Sequence, residues 1–412
     1  MASRKDKKGR VLRKGEAYRE SRDLYSYSYI DSQGKRQYVY SRSLIKLREK
    51  ERNLLRDELD GIDTAAANSV TLNYMFDLYM QTKTDLREST RVMYMDCYRR
   101  YVRNGFGKKK IASIKFTDVL VFYSDLLTEK QLHISTIKYL QRLIRPAFEL
   151  AVRDNIIRSN PADGVIRMLN RNNIRESTLR NALTIEQQRA FLRYVAKNPT
   201  YQRLSPFFVF MFGTGCRIGE VIGLRWDDVD LEKKTIDINH SITYLANRKN
   251  DKPTGWLLND PKTEAGKRII PMVDAVYEAL LEEKAKQEEL NQHCITEIAG
   301  YKNFIFFNRN LDVYIPEGVN REIHRIVNAY NKTETAKALA EGREPELLPH
   351  FSNHYIRHTF CARLCEADMN IKAIQAVMGH RDIQTTLDIY AEVSENKKKE
   401  SLKKVFKDMK LF

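Results

Sequence analysis

The sequence predicts a multidomain, mainly α-helical protein with short β-strands in its first and last parts. Three observations predict this fold class. The chain has 412 residues, more than one hydrophobic core normally serves. Apolar residues at helical spacing dominate 70–165, and polar stretches at 61–69 and 171–183 separate this part from its neighbours. The last part mixes helical patterns with short strand-like runs, so we expect a mixed, mostly helical α/β domain with a small antiparallel sheet.

The N-terminal part predicts a small domain made of a β-hairpin and one helix. The run LYSYSYIDSQGKRQYVYS alternates tyrosine and serine around a Gly-containing turn, which is typical of a hairpin. Leucines at near-helical spacing follow from Leu44 to Leu59, and Gly61 ends the predicted helix. Residues 1–22 are basic and predict a loose arm. The tyrosine-rich face has two interpretations: it lies in a DNA groove, or it packs on the helix.

The middle part predicts a helical domain. Its helices are expected to start at capping residues of the preferred types, namely Ser89, Thr117 and Ser135. Basic residues share these helices with tyrosines, as at Arg99, Arg100 and Lys138. Taken alone, such residues favour a solvated helix face over a binding surface.

The predicted boundaries are 1–62, 63–170, 171–393 and 394–412. The third segment includes a polar stretch, 331–349, that predicts a surface insertion. In the last segment Leu402, Val405, Phe406 and Met409 follow helical spacing, while seven lysines occupy the other positions. We therefore expect a C-terminal tail helix.

Composition narrows the class of protein. Seventy-one Lys and Arg against 54 Asp and Glu give a net charge of +17, which points to a polyanionic partner, above all nucleic acid, or else to a solubilising surface. Five scattered cysteines without a C-x-x-C pair suggest free thiols rather than a disulfide framework. The apolar runs are too short to cross a membrane, and the basic N-terminus lacks the apolar core of a secretion signal. We expect a cytoplasmic protein.

The motif HYIRHTF places two histidines, His354 and His358, four residues apart on a predicted helix. This is a metal-site spacing, but Arg357 stands between them and would repel a cation. Cys361 and Cys365 continue the same stripe, which is too long for one zinc ion, so they are expected to pack inside the domain. His354 and Arg357 lie three apart and could both face one anion.

Three further segments offer partners for such an anion site. Arg217 follows a Gly-Thr-Gly turn in GTGCRIGE, and Lys262 stands in PKTEAGKR at a predicted β-turn between two strands. His380 and Tyr390 lie ten residues apart in MGHRDIQTTLDIY. Each has an ordinary structural explanation when taken alone, such as a cap, a solvated hairpin or a core tyrosine.

The order and local context of these residues resemble the tyrosine recombinase (phage-type integrase) family. TGCRIGE is similar to the family's T-G-x-R-x-x-E box, and HYIRHTF to its H-x-L-R-H-T-F box, with Ile356 in place of Leu. MGHRDIQTTLDIY is similar to the box that joins L-G-H to a tyrosine, with Met378 in place of Leu. The N-terminal part resembles the arm-binding domain of integrases from conjugative transposons. The fold expected for 171–393 is therefore a catalytic domain of the tyrosine recombinase type, behind a helical core-binding domain at 63–170.

The resemblance implies DNA cleavage and religation through a 3′-phosphotyrosine, used to integrate and excise a mobile element. Arg217 and Arg357 would hold the phosphate, Tyr390 would be the nucleophile, and Lys262 would protonate the leaving 5′-oxygen. His354 would take the tyrosine proton or hold the phosphate, and His380 would bond a phosphate oxygen. Glu220 would orient Arg217, and His358 would pack or support. No metal or ATP is implied.

The implied partners are double-stranded DNA at core and arm sites, further copies of the chain in a tetramer joined by the C-terminal tail, and an excisionase or DNA-bending protein. The residues expected to contact DNA are Tyr25, Tyr27, Lys35, Arg36, Arg99, Arg100 and Lys138. Two rivals remain at this point. A type IB topoisomerase would use similar chemistry, and a DNA-binding regulator would use none; a zinc hydrolase is a more distant third.

Overall fold

The computed structural model describes residues 4–31, 34–62, 69–172, 182–245, 255–260 and 266–393. The chain forms two compact units, Met1–Ser177 and Thr178–Phe412, and their boundary falls in the predicted linker 171–183. Within the described ranges, no helix is both long and apolar enough to cross a membrane. The finer division into four segments stays a prediction.

The N-terminal domain is a three-stranded antiparallel sheet covered by one helix. Its strands are β1 (Glu16–Arg19), β2 (Leu24–Ile30) and β3 (Arg36–Ser41), in that spatial order, and the helix is α1 (Leu44–Leu59). The predicted hairpin is β2–β3. The expectation of a loose arm at 1–22 is wrong, because β1 lies there and the buried carboxylates of Asp6 and Glu16 bond to Arg10 and Arg48.

The two faces of this sheet differ sharply in exposure. Tyr25 and Tyr27 pair with Ser41 and Val39 on the face that α1 covers, and Tyr25 is only 2% exposed. The opposite face presents Tyr38 at 50% exposure. Packing on the helix is therefore the right interpretation for Tyr25 and Tyr27, whereas Tyr38 and Tyr40 lie on the open face. The prediction that Tyr25 and Tyr27 contact DNA does not fit this arrangement, because α1 already covers the face of the sheet on which both side chains lie.

The rest of the first unit is a helical bundle. Its helices are α2 (Leu72–Thr82), α3 (Glu88–Tyr98), α4 (Phe116–Thr128), α5 (Ile134–Arg153) and α6 (Val165–Asn172), and a π-helical turn, Arg99–Arg103, extends α3. Phe76 and Tyr98 stack in its core with ring centroids 3.5 Å apart. The capping positions are Arg87, Lys115 and His133, each two residues before the predicted cap. Other groups do the capping there: the Asp118 carboxylate, for example, accepts from the backbone N–H of Lys115.

The second unit surrounds a wholly apolar helix. Its helices are α7 (Ile185–Lys197), α8 (Ser205–Thr214), α9 (Ile218–Ile222), α10 (Asp274–Glu289), α11 (Pro316–Glu341), α12 (Asn353–Glu366), α13 (Ile371–Met378) and α14 (383–393). Helix α8 carries the phenylalanine-rich run and is buried on nearly every side, which suits a helix without a polar face. Residues 331–349 lie mostly at the surface, as predicted, but they are not a separate insertion, because α11 continues to Glu341 and Leu348 packs in the core.

Two small antiparallel sheets accompany these helices. One has the order β4 (Val229–Asp230), β5 (Thr235–Ile238), β8 (Arg268–Pro271), and the other pairs β6 (Ser241–Leu245) with β7 (Gly255–Asn259). Helices α8 and α13 both end at glycines, Gly215 (φ 61°) and Gly379 (φ 62°), in the left-handed conformation. Such a residue reverses the chain at a helix end and leaves its carbonyl free to accept bonds from outside the helix.

Candidate active site

Arg357 lies on α12 and is only 4% exposed. Its guanidinium donates to the carbonyl of Gly215 at 2.8 Å and to that of Met378 at 2.5 Å. Burial, followed by the positive charge of Arg217, lowers the pKa of Arg357 to about 10, so it stays protonated at neutral pH. Each of its terminal nitrogens thus donates one hydrogen bond to a carbonyl oxygen, which does not neutralise the charge and leaves further N–H groups for an anion.

Arg217 lies at the N-cap position of α9, just after the Gly-Thr-Gly turn. Its guanidinium donates to Glu220 Oε1 at 2.8 Å and to the carbonyl of Gly379 at 2.7 Å, while its backbone N–H donates to Glu220 Oε2 at 2.9 Å. Each of the two arginines is thus held by a glycine carbonyl from another motif: Arg357 by Gly215 of the Arg217 motif, and Arg217 by Gly379 of the His380 motif. The expected contact between Glu220 and Arg217 is present.

A third arginine, Arg268, belongs to the same cluster and was missed by the sequence analysis. It starts β8, is 6% exposed at its side chain, and grips Glu220 with both terminal nitrogens, at 3.2 and 2.8 Å. Its Nε donates to the carbonyl of Val377 at 2.7 Å. The sequence offers little signal for it, since an arginine in KRIIP looks like the exposed end of a strand.

Two of these three guanidinium groups, those of Arg217 and Arg268, bond to a single carboxylate, Glu220, and the charge of Glu220 also acts on Arg357. Burial opposes ionisation of Glu220, but the hydrogen bonds and charge of Arg268, with the charge of Arg217, outweigh it and hold its pKa below the usual range. The cluster therefore keeps a surplus of two positive charges at neutral pH. We call Arg217, Arg268, Arg357 and Glu220 the arginine cradle. Fixed cations of this kind, with planar forks, are suited to a phosphate or another oxyanion.

His380 follows Gly379 directly and is buried beside the cradle. Its Nδ1 lies 2.9 Å from Thr386 Oγ1. Burial, then the charges of Arg357, Arg217 and Arg268, lower the pKa of His380 to about 4. The ring is therefore neutral at neutral pH and can offer one N–H to an anion without adding charge.

Tyr390 lies on α14 and packs, partly buried, against a small apolar cluster that includes Cys361 and Cys365. Both cysteines are buried, as the sequence predicted. His358 also faces this helix, with its Nε2 3.7 Å from Glu392 Oε2. The face of α12 that contains the two cysteines and His358 thus supports the helix of the predicted nucleophile. His354, in the first turn of the same helix, is exposed.

Lys262 and the tail 394–412 lie outside the described residues. The strands on either side of Lys262 do not pair with each other, contrary to the expectation of one turn between two paired strands. Strand β7 pairs with β6, whereas β8 pairs with β5.

The remaining residues expected to contact DNA are exposed: Lys35, Arg36, Arg99, Arg100 and Lys138. Arg99 also forms an ion pair with Asp96 on its own helix at 2.5 Å, so part of its charge is already compensated. In the part of the chain that the structure describes, no group of three or more His, Cys, Asp or Glu side chains could hold a metal ion.

Comparison with known proteins agrees with this site. Residues 181–397 match the Phage integrase family, and residues 1–58 match the DNA binding domain of Tn916 integrase. The transposase from transposon Tn916 of Enterococcus faecalis is 30% identical, over 98% of this chain and 97% of that protein.

Two solved structures of the Tn1549 transposon integrase are also similar. The complex with transposon right end DNA has a TM-score of 0.68 at 28% identity and covers 80% of this chain and 99% of that one. The complex with a circular intermediate DNA has a TM-score of 0.68 at 28% identity and covers 81% of this chain and all of that one (100%).

The fold and the cradle define a tyrosine-type site-specific DNA recombinase, an enzyme that cuts and rejoins DNA strands. The chain belongs to the phage integrase family and is an integrase of the conjugative-transposon type. The predicted fold class and the predicted family are both confirmed.

Proposed function

We propose that Arg217 and Arg357 of the arginine cradle bind the scissile phosphodiester and that Tyr390 attacks its phosphorus. The observation that carries this proposal is that backbone carbonyls hold both guanidinium groups in place: Gly379 accepts from Arg217, and Gly215 and Met378 accept from Arg357. A phosphodiester repels nucleophiles by its negative charge, and the transition state gains more from such fixed cations than the ground state does. The products of the first step are a 3′-phosphotyrosine and a free 5′-hydroxyl.

The other predicted residues complete the proton transfers. Lys262 is the general acid that gives a proton to the leaving 5′-oxygen. His354, exposed one turn before Arg357, accepts the proton of Tyr390 or holds a phosphate oxygen. His380 donates its N–H to another phosphate oxygen. Glu220 and Arg268 keep Arg217 in place and do not touch the substrate.

The reaction needs neither metal nor ATP. The covalent tyrosine ester conserves the free energy of the broken phosphodiester, and the 5′-hydroxyl of a second strand can attack it in reverse. Three guanidinium groups already provide the charge that a metal ion supplies in other phosphoryl-transfer enzymes. Strand cleavage in the presence of EDTA at an unchanged rate is the expected result.

The DNA partner is double-stranded and contacts the first unit as well. The open face of the N-terminal sheet, formed by Arg36, Tyr38 and Tyr40 with Lys35 at its edge, is the arm-site surface; Arg99, Arg100 and Lys138 contribute to the core site. The complexes of the Tn1549 integrase with transposon right end DNA and with a circular intermediate support a mobile element that integrates and excises. The place of action is the bacterial cytoplasm, where such DNA lies.

The active assembly is a tetramer in which the tail 394–412 of one protomer docks on the next. Its apolar positions at helical spacing and its place just after Tyr390 support this arrangement, since a docked tail would control where the tyrosine lies. An excisionase or a DNA-bending protein would set the direction of recombination. Removal of residues 394–412 should abolish recombination while leaving DNA binding in place, as measured by gel shift.

A nicked suicide substrate that carries the element end tests the proposal directly. The wild-type protein should form a covalent protein–DNA adduct, and Tyr390→Phe should form none. An adduct with Tyr390→Phe, or none with the wild type on a functional site, contradicts the mechanism. Rapid relaxation of a supercoiled plasmid without any recombination site would instead favour a type IB topoisomerase.

A further inference from the structure

We propose that Thr386 couples the docking of the Tyr390 helix to phosphate binding by stabilising the tautomer of His380 that donates its Nε2–H to the phosphate. Thr386 is therefore a positioning residue that acts through His380 and does not touch the substrate. This inference rests on the proposed function, because it assumes that His380 donates to the scissile phosphate and that Tyr390 attacks it.

The geometry singles out one of two adjacent threonines on α14. Thr386 has no exposed surface, and its Oγ1 lies 2.9 Å from Nδ1 of His380, which is itself buried. Thr385 is exposed on the other side of the helix. A buried hydroxyl normally serves a partner that needs it, because its desolvation is otherwise uncompensated.

The arginine cradle decides which way this hydrogen bond runs. His380 is neutral beside three guanidinium groups, so only one of its ring nitrogens has a hydrogen. If Nδ1 accepts from the Thr386 hydroxyl, Nε2–H remains to donate to a phosphate oxygen. The opposite tautomer would present the Nε2 lone pair to an anion and repel it. The Thr386 hydroxyl could also accept from the other tautomer, so the phosphate selects the tautomer with Nε2–H. Thr386 then stabilises that tautomer by donating to Nδ1 and holds the ring in place.

Thr386 and Tyr390 lie four residues apart, on the same face of α14. Whenever this helix leaves the domain, the nucleophile and the hydroxyl that fixes His380 leave together. In a protomer with an undocked tyrosine, the N–H of His380 is then no longer held in position for the phosphate. The enzyme would in this way avoid activating a phosphate towards water when no tyrosine is in place.

The test is single-turnover cleavage of the nicked suicide substrate by three variants of the full chain. Thr386→Val keeps the shape of the side chain but removes the hydroxyl, and it should slow adduct formation roughly tenfold, the effect of one well-placed hydrogen bond in a buried site. Thr386→Ser restores the hydroxyl and should recover most of the rate. Thr385→Val, the exposed neighbour, should leave the rate unchanged. DNA affinity should be the same for all three.

A double-mutant cycle with His380→Ala separates this role from a merely structural one. In the His380→Ala background, Thr386→Val should cause no further loss. Equal losses in both backgrounds, or a failure of Thr386→Ser to recover the rate, would overturn the coupling and leave Thr386 as a packing residue. Absence of any adduct with the wild type would instead count against the proposed function itself, and so the two failures are distinguishable.

Discussion

The N-terminal sheet and the arginine cradle both bury charged side chains, but they balance them differently. In the sheet, the buried carboxylates of Asp6 and Glu16 each face one arginine, Arg10 at 2.8 Å and Arg48 at 2.8 Å. In the cradle, Arg217 and Arg268 share Glu220, while Arg357 donates to the backbone carbonyls of Gly215 and Met378 and has no carboxylate of its own among the bonds of the described residues.

This difference separates a structural use of buried charge from a functional one. A carboxylate paired with a single arginine leaves no net charge to attract a ligand. Its role is structural, and here it holds β1 and the preceding loop in place. A cluster with excess charge of one sign carries an electrostatic cost in the free protein, and a bound anion would relieve that cost. We expect the same substitution to have opposite consequences in the two regions.

The largest effect is expected in the cradle. Arg357→Met should slow covalent adduct formation roughly a thousandfold, as does the loss of one transition-state donor in other enzymes. It should not lower the thermal stability of the second unit, because it removes one of three like charges. Adduct formation on the suicide substrate and a thermal melt measure the two quantities. A large fall in stability would show that the cradle is structurally balanced and would remove the contrast.

The matched substitution in the sheet is Arg48→Met. It leaves the wholly buried Glu16 without its main partner and should destabilise the N-terminal domain by about 2 kcal/mol. The rate of cleavage on a short core-site substrate should not change. Hydrogen exchange of the amides in β1 and α1 reports the local stability, and a slower cleavage step would contradict the separation of roles.

The two faces of the sheet give a smaller contrast. Tyr38→Ala, on the open face, should weaken binding to an arm-site duplex roughly tenfold, as expected for the loss of one aromatic contact in an otherwise electrostatic interface. Tyr25→Phe, on the covered face, removes a hydroxyl that donates to Asp6 and accepts from Arg10, so it should cost stability and not affinity. Fluorescence anisotropy with the arm duplex compares them; equal losses of affinity would show that α1 moves away on binding.

The smallest effect is a pH dependence of stability. The pKa of His380 is lowered from 6.5 to about 4, so between these values the unfolded chain binds a proton that the folded chain does not. The free energy of unfolding should therefore fall as the pH decreases from 6.5 towards 4. His380→Asn cannot ionise and should show a shallower fall in urea unfolding over this range. An identical slope would mean that folding does not lower the pKa of His380.

The sequence identified the parts of the cradle that belong to compact motifs. Arg217, Arg357 and His380 each stand beside a glycine turn or within a short spaced pattern, so a short stretch of sequence is enough to recognise them. Arg268 does not: it reaches Glu220 only because β8 pairs with β5 and passes under α13. A residue whose role depends on strand pairing leaves no local pattern to read.

The N-terminal domain shows the same limit from another side. Alternating tyrosines predicted the strands correctly, but alternation alone does not reveal which face α1 will cover. Strand β1 was not predicted because EAYR is short and lies in a basic segment. The buried ion pairs of Asp6 and Glu16 hold it in place, and the sequence pattern does not reveal them. The capping residues were displaced by two because backbone groups found side chains other than the nearest serine or threonine.

The bonds of Arg217 to Gly379 and of Arg357 to Gly215 join distant segments, and this has a consequence for building hybrid enzymes. Consider a chimera that takes residues up to α9 from one relative and α12 to α14 from another. Its Arg217 and Gly215 come from the first parent, and its Arg357 and Gly379 come from the second. Each guanidinium group must then bond to a glycine carbonyl that is positioned by the other parent's packing. Exchanges of DNA specificity among such integrases should therefore keep the whole segment from Gly215 to Tyr390 from a single parent, and place the junction in the first unit.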